Sequence, residues 1–226
     1  STHCISSAAS DVYKRQDFAF KNPARGIKLK RDEKQEPRVL SREEQIDFFD
    51  ACKGTFYEEL FTVAVLTGLR PGELFALRWQ DIDLKAKTIN VTRTLLYQKL
   101  EGDTRKEFHI HPPKTESSLR IVHFGERCAQ ALKSQFRKKS NVALRVTSAP
   151  LEGLEDLLFV TKYNTPLCSQ IACQAIDRII ELINESRCDL DLFDNFSCHC
   201  FRHTYATRCF EAGVDPVSYT HLTLPT

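Results

Sequence analysis

The sequence predicts an α+β protein, mostly helical, with a small antiparallel β-sheet inserted among the helices after the third one. Apolar residues recur at helical spacing in both the first and the last thirds of the chain. The middle instead alternates and is rich in β-branched residues, and no internal repeat is evident. A chain of 226 residues, 42% hydrophobic, can bury one good-sized core.

Each element follows from local signals. Residues 17–37 are charged, carry two prolines and lack apolar periodicity, so they read as a linker. "SREE" is a helix start, with Ser41 as cap and Glu44 reaching back to close a capping box; the helix runs to about Lys53. Leu60, Phe61, Val63, Ala64, Val65 and Leu66 make a second helix apolar on most sides, hence buried, and Gly68 stops it. Pro71 sits at the first turn of a third, short helix, "PGELFALRW". "TINVTRTLLYQK", "EFHIHPPKT" and "LRIVHF" are strands, with "ESS" a turn before the last. Helices return in "GERCAQALKSQFRKK" and "CSQIACQAIDRIIELINES", separated by "DLLFV", a short buried strand or extended segment. "HTYATRCFEAG" closes the series, with Gly213 as its stop.

Composition excludes some functions. No stretch approaches the ~18 apolar residues of a membrane span, and the N-terminus has no basic-then-apolar signal, so a cytoplasmic protein with no membrane partner is expected. Lys+Arg 32 against Asp+Glu 30 gives no net polyanion-binding charge, although bases outnumber acids from Lys99 to Arg145. Nine cysteines, odd in number and without a paired framework, fit reduced thiols. Cys198, Cys200 and His203 leave a zinc-stabilised interaction protein as a further reading, against the spacing of zinc knuckles.

Four residues carry candidate chemistry. Arg70, at the junction of two helices and beside Pro71, is a rigid anion clamp or half of a structural pair with Glu73, three residues on. Lys114 lies on a hairpin stiffened by two prolines, where surface charge is the alternative. His199 and Arg202 share one face at a helix start, an arrangement that favours bound phosphate.

"LTGLRPGEL", "PPKTESSLRIV" and "HCFRHTYATRCFEAGVD", in that order, resemble the catalytic domain of tyrosine recombinases, the phage and conjugative-transposon integrases, over about residues 38–216. "NPARGIKLK" resembles the family's interdomain segment, and Phe201 replaces the usual Leu before the second arginine. The resemblance implies that Arg70 and Arg202 grip the scissile phosphate, with Glu73 supporting Arg70. It implies Lys114 as the acid for the leaving 5′ oxygen and His199 in proton transfer or phosphate binding. No metal or cofactor is implied, since two arginines supply the electrostatics. The implied partners are double-stranded DNA and further copies of the chain, a tetramer on DNA, in site-specific DNA recombination and integration of a mobile element.

The family's nucleophile is a tyrosine that forms a 3′-phosphotyrosyl link. Tyr219, only 17 residues past Arg202, lies in "VSYTHLTLPT", which has no helical period, and is rejected as that nucleophile. The expectation is therefore a catalytic domain truncated at both ends, its nucleophile beyond residue 226 and inactive alone. Residues 1–16 and 217–226 are expected to be non-native extensions. The rival is a non-catalytic DNA-binding module that keeps the phosphate clamp. Neither rival accounts for Arg70, Lys114, His199 and Arg202 together.

Overall fold

The computed structural model describes residues 37–100, 104–112, 119–146, 151–188 and 191–214. Among the described residues, six helices and five strands run in the order α1 Arg42–Cys52, α2 Glu58–Thr67, α3 Pro71–Phe75, a 3-10 turn Trp79–Asp81, β1 Ile82–Asp83, β2 Thr88–Val91, β3 Thr94–Gln98, β4 Glu107–His111, β5 Arg120–His123, α4 Glu126–Arg145, α5 Ser169–Asn184 and α6 His199–Glu211.

The predicted capping box is present: the Ser41 hydroxyl accepts from the Glu44 N–H at 3.0 Å, and Glu44 accepts from the Ser41 N–H at 2.7 Å. Helix α2 is buried along almost its whole length and ends on Gly68, whose φ of 60° is left-handed. Helix α3 starts on Pro71 as expected but stops at Phe75. Past it Ala76 and Leu77 stay buried, and the carbonyl of Leu77 accepts from the N–H of Leu158, at 2.7 Å, in the extended "DLLFV" segment. That segment is buried through Leu157, Leu158, Phe159 and Val160, and it joins the fold by isolated bridges, Arg78 to Leu157 and Val160 to Pro166.

The single sheet expected from the sequence is two. "TINVTRTLLYQK" is broken at Thr92–Arg93, so β2 joins a three-stranded antiparallel sheet, β1-β2-β5, while β3 pairs with β4 as a separate ribbon. Helix α4 runs beyond the expected "GERCAQALKSQFRKK" to Arg145. "ESS" lies outside the described residues.

The core joins α1, α2 and α6 through phenylalanines. Phe48, Phe61, Phe196 and Phe201 pack with ring centroids 5.2–5.7 Å apart, mostly edge-on. The substituted position, Phe201, is only 1% exposed and sits in the middle of this cluster. Helix α6 packs on α2, α4 packs on the same helix, and α5 packs on α1. The chain before α1 is tied to α6: the Leu40 N–H donates to Thr204 Oγ1 at 3.1 Å, and Arg208 donates to the Leu40 carbonyl at 2.8 Å. These contacts fix the rotation of α6 about its own axis and thereby aim Arg202.

Candidate phosphate-binding site

The site forms where α2 ends, α3 begins and α6 starts. Gly68 is its pivot. In addition to its positive φ, a Cβ there would lie 2.3 Å from Cδ1 of Tyr205, so the α6 tyrosine ring rests directly on the glycine backbone. The Gly68 carbonyl accepts from Nη1 of Arg202 at 2.7 Å. Two residues on, Arg70 leads into α3, and its backbone N–H donates to Oε2 of Glu73 at 2.9 Å, closing the first turn of that helix.

Glu73 is the hub of a charge network. Its side chain is 4% exposed and takes four donors: Nη1 of Arg70 at 3.0 Å, the Arg70 N–H, and both ends of the Arg120 guanidinium at 2.9 and 2.7 Å. Burial pushes the Glu73 carboxyl up, but Arg120 and then Arg70 outweigh it and hold the group below the usual carboxylate range. Arg202 is buried, and its Nη2 has no hydrogen-bond partner among the described residues. Burial, then the charge of Arg70, draws the pKa of Arg202 down to about 10, so it stays cationic at neutral pH. His199, one turn before Arg202, is drawn below its ordinary value by desolvation and then by His203, Arg202 and Arg70, which leaves the ring neutral near pH 7.

The structure thus brings together Arg70, Glu73, His199 and Arg202, four of the five residues singled out in the sequence. Lys114 lies outside the described residues, as do Tyr219 and His221. Arg120 was missed. Its signal is an inverted strand: Leu119 and Ile121 are 54% and 64% exposed, while the Arg120 side chain between them is 11% exposed. Hydrophobic alternation alone points such an arginine outward.

Among the described residues no three metal-ligating side chains come together. Burial raises the thiol pKa of both Cys198 and Cys200. The eight described cysteines are free.

A pocket with two guanidiniums, a neutral imidazole and an idle buried donor is built for a phosphate oxyanion. A family model described as the phage integrase family matches residues 32–222. The chain belongs to that family. The chain is 31% identical over 209 residues to a XerC-like tyrosine recombinase of Caldanaerobacter subterraneus, covering 88% of this chain and 51% of the relative. It is 25% identical over 218 residues to the transposase from transposon Tn916 of Enterococcus faecalis, covering 94% and 50%. The chain spans about half the length of these relatives. Its fold matches the Tn1549 transposon integrase solved in complex with transposon right end DNA, with TM-score 0.72 at 22% identity, covering 96% of this chain and 68% of that one. It also matches a λ integrase tetramer bound to a Holliday junction, with TM-score 0.54 at 16% identity, covering 97% and 56%. Among the described residues no helix of the integrase is long and apolar enough to cross a membrane.

Proposed function

We propose that this integrase chain is the strand-cleaving part of a tyrosine recombinase that integrates a mobile element into double-stranded DNA. Arg70 and Arg202 hold the non-bridging oxygens of the scissile phosphate and offset the charge that grows as the phosphorus becomes five-coordinate. A tyrosine hydroxyl attacks that phosphorus and forms a 3′-phosphotyrosyl bond. The bond to the 5′ oxygen breaks, and Lys114 supplies the proton that oxygen takes up. His199, neutral before DNA binds, receives the proton leaving the tyrosine or donates a hydrogen bond to the phosphate. Attack by a 5′ hydroxyl of another strand reverses the sequence, and four copies on two duplexes complete the exchange.

The observation that carries this reading is the buried Nη2 of Arg202, without a partner among the described residues, in a pocket that already holds Arg70 and His199. Tyr205, the tyrosine nearest the site in sequence, is not the nucleophile in this scheme: burial and its hydrogen bond to Cys209 push its hydroxyl up to about 12. The nucleophile in this scheme is a tyrosine other than Tyr205 and Tyr219.

The test is incubation of the chain, extended by the downstream sequence of its gene, with a nicked suicide duplex. A covalent protein–DNA adduct is expected, and it is lost in Arg70→Ala and in Phe replacement of the downstream tyrosine. Absence of an adduct, with salt-sensitive DNA binding intact, replaces this reading with a phosphate-clamp binding module.

A further inference from the structure

Arg120 stands outside the phosphate-binding set, yet it makes a two-armed contact within the site. Its guanidinium forks onto both oxygens of Glu73, Nη1 to Oε1 at 2.9 Å and Nη2 to Oε2 at 2.7 Å. Arg70 reaches the same carboxylate with one guanidinium nitrogen, Nη1 to Oε1 at 3.0 Å, and with its backbone N–H. A carboxylate offers about four acceptor positions, and here all are taken. The two arginines also differ in exposure: the side chain of Arg120 is 11% exposed and that of Arg70 is 32% exposed.

We infer that Arg120 is a positioning residue that neutralises Glu73 so that the charge and the free edge of Arg70 remain available to the phosphate. The inference rests on the phosphate-gripping role proposed for Arg70. Two-armed arginine–carboxylate pairing is the preferred geometry, and a lone Glu73 would draw Arg70 into it. Such a pair is neutral, and both guanidinium arms on that side are engaged. With Arg120 holding the fork, Glu73 still orients Arg70 through one arm and the helix turn, while the three groups together keep a net positive charge. Arg120 also ties the β5 end of the three-stranded sheet to the start of α3, so the orientation of Arg70 is referred to the sheet as well as to its own helix. Buried like this, a single carboxylate between two guanidiniums sets how much positive charge the site presents.

The consequence is an unusual rescue. Loss of Arg120 alone frees Glu73 to collapse onto Arg70 and weakens phosphate binding, whereas removing the carboxylate charge as well releases Arg70 again. The experiment measures affinity of the 226-residue chain for a short fluorescein-labelled duplex by anisotropy, for wild type, Arg70→Ala, Arg120→Gln and Glu73→Gln/Arg120→Gln. Arg120→Gln is expected to bind about tenfold more weakly, as does Arg70→Ala, through loss of one effective phosphate contact. The double variant is expected to return to within about threefold of wild type. Both Arg120→Gln chains lack the same fork, so a difference between them reads charge rather than packing. Thermal melting of the two confirms that the recovery is not one of folding. A double variant that binds as weakly as Arg120→Gln overturns the role of Arg120. An Arg70→Ala chain that binds like wild type overturns the phosphate-gripping reading instead.

Discussion

Replacing Gly68 with alanine probes the pivot of the site directly. Two costs are separable. A side chain at φ 60° costs about 1–2 kcal/mol relative to glycine. The new methyl would sit 2.3 Å from Cδ1, 2.9 Å from Cγ and 3.0 Å from Cε1 of Tyr205, so the ring and α6 must give way, an overpacking cost of about 1–3 kcal/mol. The sum is about 2–5 kcal/mol, a melting temperature lowered by roughly 4–20 °C for a domain of this size. Because the Gly68 carbonyl holds Nη1 of Arg202, the same displacement pulls Arg202 away, and DNA affinity falls even where the protein remains folded. Urea unfolding of Gly68→Ala, Tyr205→Ala and the double variant gives a thermodynamic cycle. The steric part should vanish in the double, a favourable coupling of about 1–3 kcal/mol, while the backbone part persists. Additive single effects would refute the close approach, and a Gly68→Ala chain within about 0.5 kcal/mol of wild type would refute the close approach and the strained turn together.

Phe201→Ala should cost about 3–5 kcal/mol in urea unfolding, since Phe201 is a fully buried ring touching Phe48, Phe61 and Phe196. Leucine at the same position should cost less than half as much. Ser41→Ala, which opens the α1 capping box, should cost about 0.5–2 kcal/mol without changing DNA affinity, because the cap lies outside the phosphate site. The folded-state pKa values of His199 and His203 both lie below their ordinary value, so below about pH 6.5 the unfolded chain binds more protons than the folded one. Stability is therefore full above that pH and lost as the pH falls. Melting temperatures between pH 7.5 and 5.5 should drop less steeply in His199→Gln/His203→Gln than in wild type, and identical slopes would count against the assignment.

What could be read in the sequence was local or periodic. The Ser41 cap, the Gly68 stop, Pro71 at a first turn and the Gly213 stop each need only a few neighbouring residues, and all four occur where expected. The placement of Arg70, Glu73, His199 and Arg202 followed because each sits at a helix boundary that such signals mark. Features set by distant chain were not legible. The end of α3 at Phe75 depends on Leu158, and Gly72 abuts Thr94 and the Leu95 backbone of β3, contacts no local pattern announces. The break at Thr92–Arg93 separates two sheets within one β-rich run, and Arg93, in the phase of Ile89, Val91 and Leu95, is its one local mark. Arg120 was hidden for the opposite reason: it shares the inward phase of its strand with the buried Val122, while the apolar Ile121 is turned outward.

Gly68 and Arg202 are 134 residues apart in sequence but one hydrogen bond apart in space, and Arg70 follows Gly68 by two residues. The gap between the guanidiniums of Arg70 and Arg202 is therefore set by a short gauge, not by the long chain between them. Loops within residues 76–198 can lengthen, shorten or breathe without detuning it, provided that α6 still docks against α2 and Arg120 still reaches Glu73. Insertions between α4 and α5 should for that reason alter the outline of the molecule and leave the spacing of the clamp unchanged.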